Sequence, residues 1–170
     1  MNTVYLILGC NIGDKFKNLE RVVEVISEKA GIIIKKSNIY ETAAWGNVNQ
    51  PDFLNQALCI ETPFSATDLL KILLSIEQSL GRTRNEQKWM ERTMDIDILF
   101  YNNAIIDSID LKVPHPYLHL RKFVLVPMAE IAANFVHPVL KKNITTLLED
   151  SSDDLRITKF QKNGQQTDII

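Results

Sequence analysis

Apolar positions recur along this chain in two spacings, and the order of these patterns predicts its elements. Continuous or alternating apolar runs indicate strands, whereas apolar residues three and four apart indicate an amphipathic helix. The pattern predicts strands at residues 4–10, 32–40 and 53–61 and from Asp95 onward, and helices from the cap Asp14 to Ala30-Gly31 and from near Ser65 to Gly81. A long polar loop with a single large aromatic, Trp45, is expected between Glu41 and Asp52.

The second half of the chain predicts a hairpin, a stiff segment and further helices. Asn102-Asn103 is a turn signal, so the Asp95 strand is expected to form a hairpin with residues 104–106. Pro114 and Pro116 exclude a helix interior and hold His115 on an extended segment. Helices are expected at residues 120–133 and 144–149 and a strand at 155–160, with a loop at 151–154 and a frayed end.

The order strand, helix, strand, strand, helix, strand is typical of one architecture. It predicts an α+β protein with a ferredoxin-like βαββαβ core, in which helices cover one side of an antiparallel sheet. The later helices are C-terminal additions that can cover the other side. No repeat or linker divides the chain, so we expect a single domain over residues 1–170.

Composition narrows the function classes. Charged residues make up 24% and apolar residues 45% of the chain, and the net charge of -2 provides no general attraction for nucleic acid. Cys10 and Cys59 lie in apolar runs without metal-ligand spacing, so both are interpreted as buried thiols. No basic leader and no long apolar run is present, which favours a cytoplasmic protein that does not enter a membrane.

The candidate chemistry is concentrated in residues 82–101. Asp95 and Asp97 are two apart on a strand, so both carboxylates face the same side and form a plausible seat for Mg²⁺. Arg82, Arg84 and Arg92 precede them, and guanidinium groups bind phosphate oxygens in pairs. Together these residues favour a metal and polyphosphate site, and Trp89 adds a flat apolar surface for a ring.

Each of these features also has a structural interpretation. An Asp-x-Asp pair at a strand end is often a solvated face, and arginines near glutamates form exposed ion pairs of little energetic value. Trp45 either covers the edge of the core or contacts a ligand, and His115 is either structural or a ligand-binding residue. Asn55 lies on a strand face that looks internal, so its amide needs partners, either backbone or a heterocycle.

Several separated segments, in this order, resemble one family. The most specific is Arg92-Thr93-Met94-Asp95-Ile96-Asp97-Ile98-Leu99, and it is supported by Gly9-Cys10-Asn11, Gln50-Pro51-Asp52-Phe53-Leu54-Asn55, Val113-Pro114-His115-Pro116 and Arg121-Lys122-Phe123-Val124-Leu125. The chain thereby resembles the 6-hydroxymethyl-7,8-dihydropterin pyrophosphokinases of folate biosynthesis. The resemblance covers most of the chain.

The resemblance implies a diphosphate transfer from ATP to the hydroxymethyl group of a reduced pterin, with release of AMP. It implies that Asp95 and Asp97 hold two Mg²⁺ ions, that Arg82 and Arg92 steady the migrating phosphates, and that Asp97 accepts the hydroxymethyl proton. The residues implied for ATP are Glu77, Arg84, Trp89, Ile98, His115 and Arg121, and those implied for the pterin are Thr42, Trp45, Phe53, Asn55 and Phe123.

The chain departs from the family pattern at a few positions. Met90-Glu91 stands where many relatives carry Gly-Pro, and Phe53 replaces a common tyrosine. Leu74 and Asp110 stand where polar and basic residues are frequent, which implies a different affinity for the nucleotide. The sequence does not determine the oligomeric state, and a monomer is one of the alternatives.

Two other functions compete with this one. Ferredoxin-like domains also bind RNA, but such a domain needs exposed aromatics on the sheet and a basic face, and neither pattern is present. A sugar transferase can use an Asp-x-Asp pair with a divalent ion, but such enzymes usually need a larger nucleotide domain than this chain offers.

Overall fold

The computed structural model describes residues 1–44, 49–81, 94–162 and 167–168. The strands are β1 (Asn2–Cys10), β2 (Ile32–Lys36), β3 (Tyr40–Thr42), β4 (Phe53–Thr62), β5 (Asp95–Tyr101), β6 (Ile106–Asp107), β7 (Lys112–Val113), β8 (Ile157–Lys159) and β9 (Thr167–Asp168). The helices are α1 (Lys15–Lys29), α2 (Ala66–Gly81), α3 (Lys122–Ala132) and α4 (Ile144–Glu149), with one 3₁₀ turn at Leu118–Leu120.

The main sheet is antiparallel and confirms the predicted fold class. Its strand order is β5-β1-β4-β3-β8-β9, and β2 pairs with β4 further along the same edge as β3. The segment β1-α1-β2/β3-β4-α2-β5 therefore forms a ferredoxin-like unit in which β5 and the broken second strand flank the β1–β4 pair. The small β6–β7 hairpin is separate from this sheet.

Helices cover both faces of the sheet. On one face α1 and α2 enclose a core that includes Leu6, Leu58 and Ile98. On the other face α3 and α4 enclose a second core that includes Ile7 and Phe100. Strand side chains alternate between the faces, so neighbouring residues of β1 enter different cores. As predicted, the later helices cover the side that α1 and α2 leave open.

The two helices of the ferredoxin-like unit begin at the predicted caps. The Asp14 side chain accepts a hydrogen bond from the Lys17 amide at 3.1 Å. The Ser65 hydroxyl accepts from the Asp68 amide at 3.1 Å and donates to the Asp68 carboxylate at 2.8 Å. These side chains satisfy amide groups that a helix start leaves without an intrahelical acceptor.

The second strand is broken, which corrects the prediction of one strand at 32–40. Its first part ends at Lys36, and its second part runs through Glu41 into the predicted loop as far as Thr42. At the break the Ser37 hydroxyl accepts from the Ala57 amide at 3.0 Å and donates to the Asn38 carbonyl at 2.6 Å. The serine side chain thus takes over bonding that the strand ladder would otherwise provide.

The prediction that β5 forms a hairpin with residues 104–106 is wrong in the pairing of the strands. The turn at Asn102 is present, with a positive φ of 47° and a hydrogen bond from the Ala104 amide to the Tyr101 carbonyl. The strand that follows pairs with Lys112–Val113 and not with β5. Edge pairing between β5 and β1 leaves the turn residue Asn102 bonded to Thr3 instead.

Of the C-terminal elements, α4 has the predicted bounds, whereas α3 and the last predicted strand are shorter than predicted, and the end is not simply frayed. Residues 118–120 form a 3₁₀ turn, so α3 begins at Lys122 and not at residue 120. The predicted strand 155–160 is reduced to Ile157–Lys159, which pairs with β3 on one side and with Thr167–Asp168 on the other. Cys10 and Cys59 are buried free thiols, as predicted. Across the described residues, no helix combines the length and apolarity that a membrane span requires.

Candidate active site

The candidate carboxylates lie on β5 at the edge of the sheet. Asp95 is half-buried and pairs with Gly9, while Asp97 is exposed and pairs with Ile7. Ile96 between them is buried on the opposite face, and its amide donates to the Glu77 carboxylate at 2.6 Å. Strand alternation therefore places both acids on one side, as the spacing predicts, and α2 fixes the main chain between them.

Two open clefts share these carboxylates. The α3 cleft, of about 740 Å³, is lined by Ile7, Gly9, Thr42, Ala43, Phe53, Asn55, Asp95, Asp97, Arg121, Phe123 and Leu155. The α2 cleft, of about 820 Å³, is lined by Leu70, Leu74, Glu77, Asp95, Ile96, Asp97, Ile98, Asp110, Leu111, Lys112, His115 and Pro116. A ligand in one cleft and a ligand in the other would meet at Asp95 and Asp97.

The α3 cleft holds a buried, oriented amide. Asn55 donates through Nδ2 to the Thr42 hydroxyl at 2.9 Å, and both residues are only 3% exposed. The absence of a side chain at Gly9 makes space for the amide oxygen, because a Cβ at this position would lie 3.3 Å from Asn55 Oδ1, a tight contact. Thr42 thus engages the amide nitrogen, while the amide oxygen lies beside Gly9 as an acceptor.

Aromatic and cationic side chains also line the α3 cleft. The Arg121 guanidinium lies 5.3 Å from the centre of the Tyr117 ring and 5.7 Å from the centre of the Phe123 ring. These distances fit cation–π contacts, which hold a charged group without neutralising it. Together with Phe53, these side chains give the cleft flat apolar surface and positive charge.

His115 lines the α2 cleft in a fixed orientation. Its amide donates to the Leu99 carbonyl at 3.0 Å, and its Nδ1 accepts from the Tyr117 amide at 3.2 Å. Burial lowers the pKa of the imidazole, the Asp97 carboxylate raises it, and the Arg121 cation lowers it. The neutral ring therefore carries its proton on Nε2 and can donate it in a hydrogen bond.

The structure brings the described candidate residues to the two clefts. Thr42, Phe53, Asn55 and Phe123 line the α3 cleft, while Glu77, Ile98 and His115 line the α2 cleft. Arg121, which the resemblance implies for ATP, lines the α3 cleft. The candidates outside the described residues are Trp45, Arg82, Arg84, Trp89 and Arg92.

Sequence reasoning missed several lining residues. Ile7 belongs to a strand that was interpreted as core, and Gly9 entered only through the family resemblance, without a role at the site. Leu155 lies near a loop without periodic pattern, so nothing in the sequence pointed to the α3 cleft. Lys112 was part of the segment before His115, but its role in the α2 cleft was not predicted.

The carboxylate pair fits a hard divalent cation that shares its coordination with a ligand. Asp95 and Asp97 supply oxygen ligands, which Mg²⁺ prefers. Within residues 1–44, 49–81, 94–162 and 167–168, no three His, Cys, Asp or Glu side chains are grouped to hold an ion alone. A cation there needs further oxygens from water or phosphate, and Mg²⁺ is usually bound in this way in nucleotide sites.

Comparison with known proteins agrees with this geometry. The model of the 7,8-dihydro-6-hydroxymethylpterin-pyrophosphokinase family matches residues 5–133. The chain belongs to this family. It is 40% identical over 164 residues to the 2-amino-4-hydroxy-6-hydroxymethyldihydropteridine pyrophosphokinase of Bacillus subtilis, covering 96% of this chain and 93% of the relative. It is 41% identical over 142 residues to the enzyme of the same name from Aquifex aeolicus, covering 84% and 88%.

A solved structure supports the fold of this family member independently. The wild-type Plasmodium falciparum HPPK-DHPS structure aligns with a TM-score of 0.76 at 15% sequence identity. The alignment covers 99% of this chain and 50% of the other, so this chain spans about half of that longer protein. At this identity the similarity concerns the fold.

Proposed function

We propose that this chain, as a single domain, transfers the terminal diphosphate of ATP to 6-hydroxymethyl-7,8-dihydropterin in folate biosynthesis. Family membership gives the reaction class. The observation that carries the assignment to this site is the junction of the two clefts at Asp95 and Asp97. A transferase must hold donor and acceptor with their reacting atoms adjacent, and two clefts that share one wall provide this arrangement.

The α3 cleft suits the pterin. Phe53 and Phe123 offer apolar faces to a flat ring, and stacked rings gain dispersion and electrostatic energy. The Asn55 amide oxygen, whose orientation is set by the Thr42 hydroxyl, accepts from the amide edge of the heterocycle. The Thr42 backbone provides a second polar contact for that edge. A buried polar group that forms a hydrogen bond with one ligand discriminates strongly against ligands that cannot form this bond.

The α2 cleft suits the nucleotide. Leu70, Leu74 and Ile98 provide apolar lining in the same cleft as the shared carboxylates. The neutral His115 donates its Nε2 proton to a phosphate oxygen, which its bond from Tyr117 favours. Arg121 contributes charge from the adjoining cleft, and Arg82, Arg84, Arg92 and Trp89 complete the set that we propose for ATP.

Asp95 and Asp97 would hold Mg²⁺, and we propose that two ions bind there together with ATP. When bound, the metal supplies charge neutralisation and alignment of the phosphates. Glu77 supports this seat by holding the Ile96 amide between the two acids.

In the transfer, the hydroxymethyl oxygen attacks the β-phosphorus of ATP. The bond between that phosphorus and the oxygen that bridges to the α-phosphate breaks, and AMP leaves with this oxygen. The hydroxyl proton moves to the Asp97 carboxylate. The chain contributes mainly by positioning and electrostatics, since phosphoryl transfer needs little covalent assistance from the protein.

The test uses ATP labelled separately at the α- and β-phosphates, with Mg²⁺ and the hydroxymethyl pterin. We expect β-label in the pterin product and α-label in AMP, and AMP formation only when the pterin is present. ADP as the product would indicate transfer of a single phosphoryl group. AMP release without pterin would indicate hydrolysis. Either result contradicts the proposed function.

The structure disfavours the RNA-binding alternative. An RNA-recognition sheet stacks bases on an open face. Here β4 is buried on both faces along most of its length, between the α1–α2 layer and the α3–α4 layer. Over the part of the chain that the structure describes, the central strands offer no open face for stacking bases.

A further inference from the structure

A segment outside the family match crosses the start of α3. The Asp153 carboxylate accepts two hydrogen bonds from main-chain amides: Oδ2 from Lys122 at 2.9 Å and Oδ1 from Leu155 at 3.0 Å. The Asp153 amide in turn donates to the Ser151 hydroxyl at 3.3 Å. One half-buried side chain thus joins two segments that lie 31 residues apart.

The start of α3 needs such a partner. Its N-cap residue, Arg121, makes no side-chain capping bond, and its first turn contains no acidic residue. Arg121 and Lys122 instead place positive charge at the positive end of the helix dipole, which is unfavourable. Asp153 provides both the missing acceptor and a negative charge, from a different part of the chain.

The contacts of Asp153 lead directly to the α3 cleft. Lys122 lies between Arg121 and Phe123 in sequence, and both of these residues line the cleft. Leu155, the other residue that Asp153 holds, also lines it. The carboxylate therefore fixes the main chain next to three wall residues, although Asp153 itself is not part of the wall.

We propose that Asp153 is a positioning residue for the pterin. It sets the distance between the Arg121–Phe123 wall and Leu155, and so defines the width of the space for the ring. This inference rests on the proposed function and extends it to residue 153, beyond the matched residues 5–133. A small error in the position of a wall weakens ligand binding even where folding is unaffected.

Asp153→Ala removes both hydrogen bonds. We expect the Kd of the hydroxymethyl pterin to rise about tenfold, since charge-assisted bonds to main-chain amides are among the stronger hydrogen bonds. We expect a smaller rise in the Kd of ATP, because Asp153 reaches the residues proposed for ATP through Arg121 and leaves the α2 cleft untouched. The kcat at saturating pterin should change less than about twofold, because the carboxylates are unaffected. Asp153→Asn keeps one acceptor oxygen, so its pterin Kd should lie between that of the unchanged protein and that of Asp153→Ala.

Two control variants separate positioning from charge and from stability. Asp154→Ala removes the same charge at the neighbouring exposed residue. Asn143→Ala removes another capping bond, the one that Asn143 Oδ1 accepts from the Thr146 amide at 2.8 Å at the start of α4. Asn143 is not a cleft residue, so its loss lowers Tm without moving the walls. Both controls should keep the pterin Kd of the unchanged protein.

Pterin binding is measured by titration in the presence of Mg²⁺ and a non-hydrolysable ATP analogue, so the measurement does not depend on turnover. A pterin Kd for Asp153→Ala equal to that of the unchanged protein would overturn this inference and leave the proposed function intact. An equal rise in Asn143→Ala at matched loss of Tm would also overturn it, since destabilisation alone would then explain the effect. If the unchanged protein binds no pterin, the proposed function fails, and the positioning role fails with it.

Discussion

Asp97 is the residue whose removal tests the site with the least disturbance of the fold. Its side chain is exposed, while the main chain of β5 is held by pairing with β1. We expect Asp97→Ala to lower kcat by at least about a hundredfold, the usual range for a lost general base. Tm should change by less than about 2 °C, as for other exposed substitutions. Steady-state kinetics and thermal unfolding measure the two effects.

The control for Asp97 is Glu20→Ala, which removes an exposed carboxylate from α1. Both its kcat and its Tm should stay close to those of the unchanged protein. A large loss of Tm in Asp97→Ala would favour a structural role for the acid pair instead.

Thr42 tests the orientation of Asn55. Thr42→Val keeps the shape of the side chain but removes the hydroxyl that accepts from Asn55 Nδ2. Leaving a buried donor without a partner costs about 1–3 kcal/mol, so we expect a rise in pterin KM of about tenfold and an unchanged ATP KM. Thr62→Val is the matched control: Thr62 is also buried, and its hydroxyl donates to the Ala30 carbonyl far from the clefts. An equal rise in KM there would contradict the orienting role.

Residues such as Asp95 and Asp97 could be predicted because their position depends only on strand alternation. Their neighbours on β5 are apolar, so the spacing alone sets the face on which both acids lie. Asp153 and Leu155 could not be predicted in the same way, because they reach the site through contacts with α3, which no local pattern encodes. The residue pattern also pointed to His115 and Asn55, whereas the resemblance supplied others, such as Ile98 and Phe123.

At the scale of elements, α2 and β5 act as one unit through Glu77. Its carboxylate accepts from the Ile96 amide at 2.6 Å, between the two candidate metal ligands. We expect Glu77→Ala to destabilise the protein by about 1.5–3 kcal/mol, as for a lost hydrogen bond to a charged group, and to lower kcat. Glu77→Gln keeps an acceptor oxygen and should recover most of the stability. Denaturant unfolding and kinetics of both variants test this, and equal losses in the two would contradict it.

The elements that could be predicted are those set by local sequence. The caps Asp14 and Ser65 and the alternation of β4 required no knowledge of distant contacts. The break at Ser37 depends on a side-chain bond to β4, and the pairing of Ile106–Asp107 with Lys112–Val113 is not encoded by the turn at Asn102. Propensity does not describe such choices, because they are made by tertiary structure.

At the scale of the whole molecule, two histidines link stability to pH. Burial lowers the pKa of His115 and of His137, and His119 lowers that of His137 further. Both imidazoles accept main-chain hydrogen bonds at Nδ1, which only the neutral form allows. In the unfolded chain a histidine takes up a proton near its ordinary pKa of about 6.5. The folded state therefore binds fewer protons, and unfolding is favoured by acid.

Their contribution to stability is complete above about pH 6.5 and is lost as the pH falls through the lowered pKa values. We expect Tm to decrease between about pH 6.5 and pH 5, which thermal unfolding across a buffer series measures. His137→Gln, which lacks a titrating ring, should show a smaller decrease over that interval. A Tm that rises on acidification would contradict the expected direction of this pH dependence.

The overall architecture could be predicted because the order of elements allowed few topologies. A βαββαβ order with short connections leads to one common sheet, and α3 and α4 then cover the remaining face. The order of elements could not show that two clefts would adjoin the edge strand β5. That depends on where α3 and residues 150–155 pack.

The shared wall of the two clefts has a consequence for inhibitors and for drug resistance. A compound confined to the α2 cleft can be evaded by substitutions at Leu74 or Asp110, which face only that cleft. A compound that also reaches Asp95 and Asp97 touches side chains that line both clefts and that we propose to serve donor and acceptor together. If they act as proposed, we expect a substitution there that expels the compound to end catalysis as well, so that these two positions offer no viable route to resistance.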